Sequence, residues 1–135
     1  MTKQKPFEDL DQSVVASYTR REAVTDGFQI DISEIASEAG ICYPVFITRT
    51  VYDQFVTVPP GVSCQDEQGR LWDIVWMLAS AIRKLPSGID RLQFQLYVRN
   101  SDKQHPGLLT LLASCGPVDI DDPKPSITIM LPDED

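Results

Sequence analysis

At 135 residues the chain is sized for one domain, long enough to bury a core without metal or disulfide staples. Its 42% hydrophobic and 24% charged content is that of an ordinary globule. Twelve basic against twenty acidic residues give a net charge of −8, which repels phosphate backbones and disfavours direct nucleic-acid binding unless a basic patch forms.

The only candidates for such a patch are the isolated pairs Arg20-Arg21 and Arg83-Lys84. Cys42, Cys64 and Cys115 are an odd number at wide spacing, without C-x-x-C or a histidine pattern, so no metal site, disulfide framework or cofactor motif is read. The opening MTKQKPFEDLDQ lacks an apolar segment, and no apolar run approaches a membrane span. The expected setting is a reduced cytoplasm.

Residues 1–16 are polar and mixed and read as an N-terminal arm; residues 17–135 read as the domain. Thr19 to Glu22 has the T-x-x-E form of a capping box, followed by a short helix that Gly27 ends. Phe28, Ile30 and Ile32 alternate with polar residues as in a brief strand. Ser33 is then placed to cap a second short helix, Glu34–Ala39, closed by Gly40. Tyr43–Ile47 reads as extended. Thr48 can cap a helix to about Thr57 with Val51, Tyr52 and Phe55 inward, although its β-branched residues suit a strand about as well.

Gln68–Lys84 is the longest helical stretch. Leu71, Ile74, Val75, Leu78, Ala81 and Ile82 recur at three- and four-residue steps. Trp72, Trp76 and Ala79 widen this stripe past half the circumference, so cover on two sides is expected. Asp66 and Glu67 before it and Arg83 and Lys84 at its end match the helix macrodipole. Beyond Pro86 and Gly88 the period changes to two. Leu92–Val98 alternates with one wet face, Leu108–Cys115 is apolar on both, Gly116-Pro117 ends it, and Ser126–Leu131 follows an acidic loop. Short connections make these three an antiparallel meander. The expected fold is α+β: an antiparallel meander packed against the long helix, with short N-terminal helices.

Chemistry-bearing residues are few. His105 in the turn NSDKQHPG and Cys115 at the far end of the next strand stand too far apart for a thiol–imidazole pair. Gln65, Asp66 and Arg70 precede or open the long helix beside Trp72, and together could line a pocket in which the tryptophan forms an aromatic wall. The plainer reading makes Asp66 and Glu67 helix-terminal charges and the tryptophan pair core. Asp121 and Asp122 in the acidic loop and Asp133, Glu134 and Asp135 in the tail offer charge to a basic partner. Their plainer role is to solvate the chain, with Pro132 projecting the tail away from the sheet edge.

The stretches SYTRREAVTDG (17–27), IDISEIASEAG (30–40), YPVFITRTVY (43–52), QDEQGRLWDIVWM (65–77) and ITIMLPDED (127–135) resemble a family of uncharacterised small bacterial and phage proteins, a domain of unknown function. The resemblance implies an accessory role on plasmids, integrative elements and phages, and it brings no catalytic residues.

Three functional expectations result. The first is a non-enzymatic accessory binding protein of mobile elements that modulates or inhibits a host system, its acidic surface facing an unidentified basic protein. The second is a small-molecule binder holding a nucleotide-sized ligand near Trp72 with Gln65, Asp66 and Arg70. The third and weakest is an enzyme using Cys64 or the Asp66/Glu67 pair. No motif encodes an oligomeric state.

Overall fold

The computed structural model describes residues 18–63, 65–86, 88–100 and 106–134. The expected arm, Cys64, His105 and Asp135 lie outside these residues.

The fold is α+β. Helix α1 (Arg20–Thr25) starts at the capping box read from the sequence: Thr19 Oγ1 accepts from the Glu22 N–H at 3.0 Å, and Glu22 Oε1 from the Thr19 N–H at 2.9 Å. Gly27, at φ 86°, takes the left-handed turn that follows. Then come β1 (Gln29–Asp31), α2 (Ser33–Glu38), β2 (Val45–Thr48) and α3 (Arg49–Val51), which widens into a π-helical turn, Tyr52–Val56. Helix α4 (Glu67–Arg83) precedes β3 (Arg91–Val98), β4 (Gly107–Asp119), β5 (Asp122–Met130) and a 3₁₀ turn, Pro132–Glu134.

Thr48 caps α3, its hydroxyl accepting from the Val51 N–H at 3.3 Å. Val51 is fully buried, while Tyr52 and Phe55 are half-buried against the core. Ser33 does not cap α2 as expected. Its Oγ accepts instead from the Val45 N–H at 3.0 Å, because β2 passes directly alongside.

The sheet has the order β1-β2-β5-β4-β3. The expected meander is its β3-β4-β5 part, but the sheet is mixed rather than antiparallel throughout. β2 lies parallel to β5, with Val45 opposite Ile127 and Ile47 opposite Ile129. Everything from α3 to β4 forms the long connection that parallel neighbours need. The last strand is therefore the middle of the sheet, not its edge.

Gly116-Pro117 also fails to end its strand. Pro117 stands opposite Pro125 within the β4–β5 ladder. The Cys115 N–H bonds across to β3 at the Asp90 carbonyl, so the alternation turns Pro117 toward the same side, past the start of β3, where a missing N–H costs no ladder bond.

Ile47, Ile74, Val75, Leu78, Leu111 and Ile129 are fully buried between α4 and the inner face of the sheet. Helix α4 touches β3 along its length and is flanked by α2 and the π-helical turn. The expectation of a buried tryptophan pair does not hold: Trp76 is 46% and Met77 38% exposed. The short flanking elements cover the α2 side of the helix, and among the described residues no element packs on its other side beyond β3. No helix among the described residues is long and apolar enough to cross a membrane.

Candidate functional site

The first turns of α4 stand over the C-terminal half of β3, and between them opens a cleft of about 670 Å³. Gln65, Asp66, Arg70 and Trp72, the four residues singled out from sequence, all line it. They are joined by Phe55 of the π-helical turn, Asp73, and the consecutive β3-end residues Leu96 to Arg99. π-Helical turns are uncommon and recur beside functional sites; here the widened turn directs Phe55 to the cleft wall.

Arg70 is the floor of this arrangement, only 6% exposed. Its Nε donates to Gln65 Oε1 at 2.7 Å and Nη1 to Asn100 Oδ1 at 2.9 Å. Nη1 also lies 3.3 Å from the carbonyl oxygens of Phe55 and Thr57, and Nη2 donates to the Arg99 carbonyl. One side chain thus ties together the π-helical turn, the loop before α4 and the end of β3. Burial lowers the pKa of its guanidinium, since desolvation disfavours the charged form. Oxygen dipoles rather than a carboxylate stabilise the charge: among the described residues no ion pair is formed by Arg70.

Asp66 is the N-cap of α4, its Oδ1 accepting from the Gly69 N–H at 2.6 Å, and it lines the cleft. Glu67 turns the other way and accepts from the Tyr52 hydroxyl at 2.8 Å. That hydrogen bond, with burial second, raises the Tyr52 pKa. The two adjacent acids therefore serve different neighbours and share no substrate position. Trp72 is half-buried and stacks on Trp76 with ring centroids 5.7 Å apart. Arg83 covers the far end of this stack, 5.7 Å from the Trp76 centroid.

The acidic residues do not gather. Asp121 and Asp122 sit at the β4–β5 turn, and Asp133 and Glu134 follow the other end of β5. Nine extended residues separate the groups by about 30 Å. Nor do the described tail residues project outward as expected. Glu134 Oε1 accepts from the Leu131 N–H at 2.7 Å and from the Thr48 hydroxyl at 2.9 Å, which holds Pro132–Glu134 against the sheet. Asp121 pairs with Arg21 at 2.9 Å, and Asp133 is exposed.

A polar anchor with no local sequence signature stands at the opposite end of the molecule. Asp119, 8% exposed, accepts from the N–H groups of Arg20, Arg21 and Ile120. Burial alone would raise its pKa, but these amides and the Arg21 guanidinium outweigh that and lower it. Arg20 lies 4.2 Å over the Phe46 ring and donates to the Val118 carbonyl, Gln29, Thr128 and Ser126. Only the capping box hinted that α1 would be anchored. Cys115 is exposed on β4. Among the described residues no three His, Cys, Asp or Glu side chains converge as a metal ion would require.

The chain belongs to a family of unknown function, DUF6573, whose model matches residues 7–135. No curated protein and no solved structure matches it significantly.

Proposed function

We infer that this DUF6573 protein is a non-enzymatic binding protein whose ligand, a nucleotide-sized molecule with a flat ring, lies in the cleft beside Trp72. One observation carries the reading: Gln65, Asp66, Arg70 and Trp72 meet around a single concavity of about 670 Å³, within the size range of small-molecule sites. Trp72 and Phe55 supply apolar surface for a ring. Asp73 and Arg99 at the rim, with the Gln65 amide nitrogen and the Asp66 carboxylate, supply polar groups to fix its orientation. Arg70 acts from below as a strut, because most of its donors already hold the walls together.

Binding is favoured over acid–base catalysis because Asp66 is committed to its helix cap and Glu67 to Tyr52. The mobile-element role and the cytoplasmic setting enter this reading from the family resemblance and from the sequence. Docking of a basic protein on the acidic surface has less support. Its residues lie at two ends of β5, and Glu134 is engaged within the chain.

A thermal-shift screen of nucleosides, nucleotides and their bases tests the proposal. A hit should raise the melting temperature of the wild type and lose its effect in Trp72→Ala, measured against that variant's own ligand-free melting temperature because Trp72 also packs against the core. A hit that stabilises Trp72→Ala equally, or no hit at millimolar ligand, would remove the reading.

A further inference from the structure

Two features outside the cleft chemistry share one rim of the molecule. The first is the outer edge of β3, which among the described residues pairs only with β4. The Cys115 N–H donates to the Asp90 carbonyl at 2.8 Å, and these residues lie in the same register as the β3–β4 ladder. Such direct exchange recurs at every second residue of an antiparallel pair. The backbone groups of Leu92, Phe94 and Leu96 therefore turn toward β4, and those of Gln93, Gln95 and Tyr97 turn outward. Among the described residues, none of these three finds a backbone partner there. Natural sheets blunt their edges by shortness, lysine, proline or a bulge. The opposite edge, β1, is three residues long. β3 has eight, in unbroken register, with neither lysine nor proline.

The second feature is the Trp72–Trp76 strip on α4, of which Trp76 is exposed. Trp72, stacked on Trp76, shares the cleft with Leu96–Arg99, so the aromatic strip borders the outer edge.

A second copy of this chain fits both. Residues 92–96 read Leu-Gln-Phe-Gln-Leu, identical in either direction. Paired antiparallel about a two-fold axis at Phe94, Leu92 meets Leu96 of the second copy, and Gln93 meets Gln95. These glutamines are among the residues whose N–H and C=O turn outward, so the register forms ladder bonds without shifting any strand. It also keeps the apolar faces of both sheets on one side. The two α4 helices then lie next to each other over the joined sheet, with Trp76 between them. An isologous contact of this kind closes on itself.

We propose that the chain forms a two-fold dimer through antiparallel pairing of β3 with β3 of a second copy, centred on Phe94, with the Trp76 strips of the two α4 helices facing each other. The proposal goes beyond the ligand reading and does not depend on it.

Light scattering and sedimentation equilibrium of the full chain test it. The wild type should have twice the 15.1 kDa of one chain. Gln95→Pro removes an outward N–H and leaves the β3–β4 bonds intact, so its circular dichroism should match the wild type while its mass halves. Gln93→Lys/Gln95→Lys and Gln93→Glu/Gln95→Glu set like charges across the axis. Each should be monomeric alone, and mixing the two should restore the dimer. This pair decides the matter if the proline variant does not fold. A wild type that stays monomeric at every concentration, or a lysine variant that dimerises as well as the wild type, overturns the proposal.

Discussion

Replacing Arg70 with alanine probes whether the cleft is held by its floor. The guanidinium donates to three main-chain carbonyls, of Phe55, Thr57 and Arg99, and to the side chains of Gln65 and Asn100. Removing it strands those acceptors. A buried acceptor left without a partner costs about 1–3 kcal/mol. Water entering from the open cleft would satisfy some of them, which keeps the sum well under the arithmetic maximum. Burying the charge also carries a desolvation cost that the alanine variant no longer bears. We therefore expect a net loss of about 3–5 kcal/mol. Arg70→Lys retains a charge but lacks the planar fork, and should fall between alanine and wild type. Urea denaturation monitored by circular dichroism gives the numbers. A loss below about 1 kcal/mol for Arg70→Ala would refute the strut role, since water would then be replacing the whole network.

Other expectations test the remaining parts. Ile74→Ala and Leu78→Ala, both fully buried on α4, should each cost about 2–5 kcal/mol in the same denaturation assay; a loss under about 1 kcal/mol at both would show that this helix is not the core. The lowered pKa of Asp119 means that the native state binds fewer protons than the unfolded state. Its contribution is complete above the ordinary aspartate value of about 4 and is lost as the pH falls through the lower folded value. Acid denaturation of Asp119→Asn should thus be less steep below about pH 4 than that of the wild type, and identical profiles would contradict the anchor. In the tail, Glu134→Ala should cost about 0.5–1.5 kcal/mol through its two hydrogen bonds, whereas Asp133→Asn should change stability hardly at all. Equal melting temperatures for the two variants would mean that the Glu134 clasp contributes nothing.

Much of the fold was legible because local rules governed it. The Thr19 capping box, the Thr48 cap, the α4 periodicity and the alternation of β3 each express chemistry within a few residues. What was hidden depended on partners distant in sequence. The parallel docking of β2 on β5 has no local signature, so the last strand looked like an edge and Pro132 like an exit. Ser33 looked like a cap because nothing near it in sequence announces Val45. Pro117 looked like a terminator because its non-bonded position is set by register. The cleft divides in the same way. Gln65, Asp66, Arg70 and Trp72 lie within eight positions and could be read together. Phe55, Asp73, Tyr97 and Arg99 arrive through the π-helical turn, the helix rise and the strand end, and only Asp73 has a sequence neighbour that could have suggested it. The network that makes Arg70 a strut runs to Phe55, Thr57, Arg99 and Asn100, all distant in sequence, so nothing beside Gln65 and Asp66 announces it.

Trp72 fluorescence tests the ligand reading most directly. In a Trp76→Phe background Trp72 is the only tryptophan left, and its ring lines the cleft. Titration with the best ligand from the thermal-shift screen should change its emission along a saturable curve, with the same midpoint as calorimetry gives for the wild type. Adding Asp73→Ala or Arg99→Ala should move that midpoint to higher ligand concentration without unfolding the protein. Calorimetric binding that leaves Trp72 emission unchanged, or midpoints unaffected by both rim variants, would place the ligand elsewhere and contradict the account.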